Sequence, residues 1–374
     1  MRKIIYFILF LHSPMMSQID SIGTIRVFLI NNDFENAIEY AENLSKIKPN
    51  DIEIMKLKGE AYKMKGDLKM AKSIFSKGFL FDSTDASIAY QLAIIYENEA
   101  NFADASIWYE KAIRNRNSPL YYLKAGKNAV ILKNPKLAKE YFRRGFEKNK
   151  LLLLNDYCRL LIEESDFYTV DTILNTMLNK DSINNKLLTL RATSNYRQNC
   201  LHDVLNDLKL LEENGDTSIF TRRLFGYTYF NLSSWDNSLK YFNYLLNQDS
   251  SRLENTHYYM AICNNKINNY EKSIYHYNEA IKAGTSSELG VYYQNKGEIY
   301  QLLGDKQAAI HSFELANEYY PDGKNLFYLA QNAELFEKDK KKSLDLYKKY
   351  LATNDKTFKT SAQDRVDYLE KNLK

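Results

Sequence analysis

The feature that most narrows what this chain can fold into is a periodicity of about 34 residues. A small or β-branched residue, followed four later by an apolar or aromatic one, recurs at Ala37, Ala71, Ala105, Ala138, Val170, Val204, Ser238, Ser273, Ala309 and Ser343. The residue four on is mostly large: Phe75, Tyr109, Phe142, Leu174, Leu208, Phe242, Tyr277, Phe313 and Tyr347, with Ala41 in the first period. Residues four apart share one helical face, so each rung marks a helix that packs closely at the small residue and fills core one turn later. A second ladder runs about twelve residues upstream, at Gly59, Ala93, Gly126, Gly226, Ala261, Gly297 and Ala330. Two small-residue ladders per period mean two helices per period.

Between the ladders stand turn-like pairs: Asn32-Asp33, Gly66-Asp67, Ala100-Asn101, Asn134-Pro135, Ser165-Asp166, Asn268-Asn269 and Gly304-Asp305. In such pairs one residue closes a helix and the next caps its successor. Only 13 Gly and 5 Pro occur in 374 residues, too few for many loops, and the prolines respect the same layout. Pro49 and Pro321 close periods, Pro119 opens one, and Pro135 falls in a first helical turn, where its missing N–H has no partner to lose. The ladder glycines cost roughly 1 kcal/mol each against Ala inside a helix, so they are read as sites of close helix approach. A hairpin of this length cannot bury both its faces alone, and it must stack on its neighbours into a solenoid.

These residues carry a family resemblance. A small residue and then Tyr in the first helix (Tyr62, Tyr96, Tyr229, Tyr300), Gly-Asp at the turn, Ala with Phe or Tyr four on, and a terminal Pro resemble the tetratricopeptide repeat. Residues 290–321 read as a near-complete copy and residues 86–112 are similar; the resemblance spans residues 20–352 in roughly ten repeats. It thins over residues 151–212, where the first-helix glycine gives way near Cys158 and Thr193 and where Val170 and Val204 replace the small residue, so a register slip or kink is expected there. The expected fold is all-α: an α-solenoid of about ten helical hairpins over residues 18–352, closed by a C-terminal capping helix within residues 353–374. The resemblance further implies a right-handed superhelix whose first helices line a concave groove.

Ahead of the repeats, Arg2 and Lys3 precede an apolar run from Ile4 to Leu11 and a break near Pro14 and Ser17. This is signal-peptide architecture, with cleavage expected after Ser17 and a periplasmic or extracellular destination. Eight apolar residues rise about 12 Å as a helix, short of the roughly 30 Å hydrocarbon core, so the run does not read as a spanning anchor.

Chemistry-bearing motifs are absent from the sequence. Histidines 12, 202, 257, 276 and 311 and cysteines 158, 200 and 263 have no metal-ligand spacing, and neither a phosphate-binding glycine loop nor a nucleophile elbow occurs. His257, His276 and His311 read as surface or groove residues. The chain carries 51 Lys plus Arg against 47 Asp plus Glu, too small a surplus for a nucleic-acid track. No catalytic residue, metal, cofactor or nucleic acid is expected.

The expected function is therefore recognition of an unidentified protein or peptide. On the first helices, the residues three before, one after and four after the small residue share a face. From these the expected partner-binding set is Tyr90, Arg223, Tyr227, Phe230, Tyr258 and Phe327, because Tyr, Phe and Arg are the usual contact anchors. One mode known in tetratricopeptide domains, capture of a terminal carboxylate by Lys and Asn one turn apart, does not fit, since Lys56 is followed by Glu60. A scaffold with a groove ligand and a structural subunit of an envelope-associated assembly both remain open at this point.

Overall fold

A computed structural model describes residues 21–248, 250–284, 288–321 and 323–373. The expected leader, residues 1–17, lies outside the described residues. Among the described residues there are helices and no strands, and no helix is long and apolar enough to cross a membrane.

Among the described residues, twenty helices follow one another as ten helix–turn–helix repeats. In chain order they are α1 Ser21–Ile30 with α2 Phe34–Ile47, α3 Ile52–Lys65 with α4 Leu68–Phe81, and α5 Ala86–Asn98 with α6 Phe102–Asn115. Next come α7 Pro119–Ile131 with α8 Pro135–Lys148, α9 Lys150–Glu163 with α10 Phe167–Leu178, and α11 Asn185–Arg197 with α12 Leu201–Glu213. The last four are α13 Ile219–Asn231 with α14 Trp235–Gln248, α15 Leu253–Lys266 with α16 Tyr270–Ala283, α17 Leu289–Leu303 with α18 Lys306–Tyr319, and α19 Gly323–Asn332 with α20 Lys340–Leu351. A final helix, α21 Lys359–Asn372, follows. The sequence reads as one uninterrupted array, whereas the structure forms two compact units that divide at Val170 and Asp171, within the thinned fifth repeat.

The turn inside every hairpin has one geometry. Asn32, Gly66, Ala100, Lys133, Ser165, Asn199, Ser233, Asn268, Gly304 and Lys338 all hold a left-handed conformation, with φ between 54° and 94°. The next residue caps the second helix in most cases: Asp33, Asp67, Asn101, Asn134, Asp305 and Asp339 each accept a hydrogen bond from the backbone N–H three residues on. The fourth turn corrects the expected pairing of Asn134 with Pro135. Lys133 is the left-handed residue and Asn134 the cap, so Pro135 sits at the first helical position.

The ladder glycines make room for a ring. A Cβ built on Gly59 would lie 2.8 Å from Phe75 Cζ, one on Gly126 would collide with Phe142 Cε1, and those on Gly226 and Gly297 would lie 2.9 and 2.8 Å from Cε1 of Phe242 and Phe313. In every case the ring comes from the residue sixteen later. Where the ladder residue is Ala, as at Ala93 and Ala261, the partner position holds Tyr109 and Tyr277; where it is the larger Ile25, the partner shrinks to Ala41. In each of these hairpins the ladder residue and the ring, or its smaller stand-in, sixteen residues later pack as a pair in a close-packed interior. The sixth repeat follows the same register through Ala192, fully buried, and Leu208, so the first-helix small residue there is Ala192 and not Thr193.

The tenth hairpin departs from the others. Eight residues separate Ala330 from its left-handed turn residue, against seven from Gly297 to Gly304. The extra residue is taken up by a π-helical stretch, Ala333–Glu337, the usual form of a single insertion in a helix. Beyond it α21 buries Ala362, Val366 and Leu369 against Tyr347 and Tyr350, and the Arg365 guanidinium pairs with Glu334. This is the expected capping helix.

Candidate functional site

In the first unit, charges on the first helices satisfy one another across successive hairpins. Arg26 on α1 meets Glu53 on α3 at 2.8 Å; Lys56 on α3 meets Glu53 at 3.1 Å and Asp85, the cap of α5, at 3.3 Å. Lys63 donates to Gln91 on α5 at 2.6 Å, Lys124 on α7 lies 3.3 Å from Glu97 on α5, and Lys127 lies 3.3 Å from Asp156 on α9. The hydrogen bond from Arg26 holds the Glu53 carboxyl below its ordinary range against the opposing effect of burial. Glu97 also accepts the hydroxyl of the fully buried Tyr109. Among these pairs lies the expected anchor Tyr90, half-buried, its ring stacked on Tyr121 at 4.7 Å.

The first helices α11, α13 and α15 of the second unit are different in kind. Neither α11 nor α13 contains an acidic residue, and α15 contains one, Glu254, which accepts the Tyr292 hydroxyl at 3.0 Å. Two cations on these helices are taken by second helices: Arg191 forks onto Asp207 at 2.6 Å and Arg222 pairs with Glu212. Lys186, Arg197, Lys266 and Arg252, the residue that precedes α15, are exposed and make no ion pair among the described residues.

Aromatic rings join α13 to α15. Tyr227 and Phe230 on α13 each set an edge against Tyr259 on α15 at 4.9 Å, with interplanar angles of 66° and 85°. Phe242 and Trp235 close the cluster from α14, at 5.5 Å from Tyr227 and Phe230 respectively. Edge-on pairs of this kind add about 0.5–1.5 kcal/mol beyond their burial, so the rings are fixed in place. Burial pushes the Tyr227 hydroxyl above its ordinary pKa, and the positive fields of Arg223 and Arg252 oppose that rise. The hydroxyl of Tyr196 on α11 accepts a hydrogen bond from Asn231 on α13 at 3.0 Å.

The structure thus brings Arg223, Tyr227 and Phe230 together on α13. Tyr258 belongs to the neighbouring cluster, 4.9 Å from Tyr292 and 6.3 Å from Tyr277, and it joins the first cluster through Tyr259 at 5.5 Å. Tyr259, which links the two clusters, lies outside the helical positions from which the expected set was drawn. Phe327 is corrected. It is 7% exposed, stacked on Phe358 at 4.4 Å and packed on Tyr347 and Tyr350, because the segment leading into α21 covers it. It is core and not a contact anchor.

The histidines also depart from expectation. His257 and His276 face one another within the eighth hairpin, Nδ1 to Nδ1 at 2.9 Å, and His276 is buried. Burial and then the neighbouring His257 push His276 down to about 4, while burial lowers His257 as well. His311 is exposed, as read. Cys158 and Cys263 are buried free thiols, pushed up to about 12 and about 11 by burial, and Cys200 is an exposed free thiol. Among the described residues no group of three or more His, Cys, Asp and Glu is placed to hold a metal ion.

Residues 86–119 and 291–322 match the family model of the tetratricopeptide repeat. No curated protein matches the chain. Among solved structures, it is similar to a chain of Naa15/Naa10 bound to HypK-THB, at 14% identity and a TM-score of 0.45, covering 94% of this chain and 63% of that one, so it spans less than two thirds of that chain's length. A tetratricopeptide repeat protein from Parabacteroides merdae ATCC 43184 aligns at 17% identity and a TM-score of 0.45, over 68% of this chain and 99% of that one. Yeast Tom70 aligns at 14% identity and a TM-score of 0.41, over 94% and 95% of the two chains.

Proposed function

We propose that this chain, which carries tetratricopeptide repeats, is a non-enzymatic scaffold that binds a peptide or partner protein along the faces of its first helices. The observation that carries the reading is the α13–α15 face, where half-buried rings are locked by their neighbours and the half-buried Arg223 and exposed Arg252 act on the Tyr227 hydroxyl. Anchors held in place before binding lose little conformational entropy when a partner arrives. The binding residues under this reading are Tyr90, Arg223, Tyr227, Phe230 and Tyr258, with Tyr259 added and Phe327 removed.

A permanent structural subunit of an envelope assembly would call for a broad apolar surface on the second helices. Large exposed hydrophobics are single on α2, α6, α10, α12, α14, α16 and α18 (Ile47, Ile107, Tyr168, Leu210, Tyr244, Tyr275 and Tyr319), while α4 carries three, Met70, Leu80 and Phe81. Outside α4 this spacing favours the scaffold. The proposed location is periplasmic or extracellular, on the strength of Arg2, Lys3 and the Ile4–Leu11 run. N-terminal sequencing of protein from its native source should find a start near Gln18, and an intact Met1 would overturn the export reading.

The binding reading is tested by capture from a native extract with the purified chain. Tyr227→Ala combined with Tyr258→Ala should weaken capture by about 2 kcal/mol or more without loss of helicity, and the outer-face change Lys240→Ala should leave it intact. If the control abolishes capture and the double variant does not, the assembly reading replaces the scaffold.

A further inference from the structure

The scaffold reading leaves the chemistry of the partner open, and the distribution of charge on the first helices narrows it. Lys186 and Arg197 on α11, Arg223 on α13, Arg252 and Lys266 at the two ends of α15 give three consecutive first helices a cationic excess, with Glu254 as their one acidic residue. The chain as a whole has a formal charge of only +4, so this excess is local. Four of these cations have no carboxylate partner among the described residues, in contrast with Arg26, Lys56, Lys124 and Lys127 of the first unit, each of which faces one. A cation already paired must break its pair to engage a ligand, whereas an unpaired one meets an incoming carboxylate with nothing to displace but water.

We propose, resting on the scaffold reading, that the face formed by α11, α13 and α15 binds an acidic, extended segment of a partner protein that also carries aromatic or aliphatic side chains. Its carboxylates meet Arg223, Arg252 and the flanking lysines, and its apolar side chains lie on the rims of Tyr227, Phe230 and Tyr259. Arg offers a carboxylate two parallel donors, and the hydroxyl of Tyr227 stands within the field of Arg223 and Arg252. Ring geometry selects a peptide over a nucleic acid. Nucleic-acid grooves stack bases on open ring faces, but here Tyr227 and Phe230 each meet Tyr259 edge to face, at 66° and 85°, and Phe242 stacks on Tyr259.

The test uses the full chain and fluorescence anisotropy with four labelled probes: a peptide alternating Glu with Phe and Ser, the same peptide with Gln for Glu, the same with Lys for Glu, and a single-stranded oligonucleotide. The Glu peptide is expected to bind at least tenfold tighter than the Gln peptide, the Lys peptide not at all, and the affinity to fall as salt rises from 50 to 500 mM. Arg223→Glu with Arg252→Glu should lower Glu-peptide affinity at least tenfold. Arg252→Glu with Lys266→Glu, both exposed positions, gives a second variant that does not depend on Arg223 for folding, and circular dichroism melts verify both. Equal binding of the Glu and Gln peptides overturns the acidic-partner inference, and the scaffold reading then still stands or falls on Tyr227→Ala with Tyr258→Ala in native extract. Tighter binding of the oligonucleotide, lost in the same charge variants, overturns it in favour of a nucleic acid. Loss of Glu-peptide binding in Lys240→Ala but in neither charge variant places the site elsewhere and overturns it as well.

Discussion

The first helices of repeats two to five and those of repeats six to eight share one register and one turn geometry, yet they manage charge in opposite ways. Across α3, α5 and α7, Lys56, Lys124 and Lys127 face Asp85, Glu97 and Asp156 on neighbouring elements, so these repeats neutralise one another, and only at α9 do exposed cations, Lys150 and Arg159, make no ion pair among the described residues. Across α11, α13 and α15 the carboxylates that answer Arg191 and Arg222 come from the second helix α12, and the groove positions hold Tyr, Phe, Asn and cations. A self-neutralised face spends its charges on holding adjacent hairpins in register. A face with unanswered cations and fixed rings has its charges available to something else. The lesson is that repeat identity specifies packing, while the non-repeat positions decide whether a given stretch binds itself or another molecule.

That contrast can be broken most severely through the core beneath it. Gly59→Leu and Gly226→Leu drive a side chain into Phe75 and Phe242 respectively, and each should cost about 1–3 kcal/mol, read as a lower melting temperature. Phe242 also packs on Tyr227 and Tyr259. Gly226→Leu should therefore lose peptide binding while Gly59→Leu keeps it; equal binding in both variants would uncouple the ring cluster from the site.

Acid separates the two units next. His257 and His276 lie in the second unit, and both have pKa values below the ordinary histidine range, His276 at about 4. Such groups stay neutral when folded but take up a proton when unfolded. Their contribution to stability is complete above the unfolded value near 6.5 and is lost as pH falls toward 4. Glu279 and Lys272 are the charged groups acting on the pair: the carboxylate opposes the depression, and the ammonium adds to it at His276. Hydrogen exchange should show α15 and α16 opening between pH 6.5 and 4 before α5 and α6, and His276→Gln should flatten the pH dependence.

Removing one member of the self-neutralising face should cost less. Glu97→Ala leaves the buried Tyr109 hydroxyl without its acceptor and Lys124 without its carboxylate, a loss of about 1–2 kcal/mol in denaturant melts. Arg252→Ala on the other face should change stability by no more than about 0.5 kcal/mol while lowering affinity for the Glu peptide. One small effect is a gain. Ala100 and Ser233 sit at φ 56° and 57°, where an L side chain is strained, so Ala100→Gly and Ser233→Gly should each stabilise by roughly 0.5–1 kcal/mol, equally in the two units.

Much of the fold was legible because its signals are local. The left-handed turn residues follow the Ala37–Ser343 ladder step for step, and the caps stand directly after them. Prolines 119 and 135 fall at first helical positions as their chemistry requires. The thinned middle was harder to place, since Val170 and Val204 obscure the small-residue signal; Ala192 settles it by being buried opposite the level of Leu208. Of the candidate site, Arg223, Tyr227 and Phe230 were readable as one face because they lie on one helix. Tyr259 was not, since its role comes from touching two residues on another helix. The histidine pair escaped for the same reason: residues nineteen apart meet only when the hairpin closes.

By itself the sequence determined the helices, their pairing and their period, because helix formation, capping and the packing of a small residue against a later ring are set by neighbours along the chain or by the repeat's own partner. Tertiary structure alone decided which aromatic becomes core and which stays at the rim. Phe327 and Arg223 occupy the same place in their repeats, three residues before the small one, yet Phe327 is sealed under Phe358 by the chain that leads into α21, while Arg223 lies in the field around Tyr227. Whether a first-helix residue meets solvent depends on what the next element lays over it, and the repeat pattern carries no record of that.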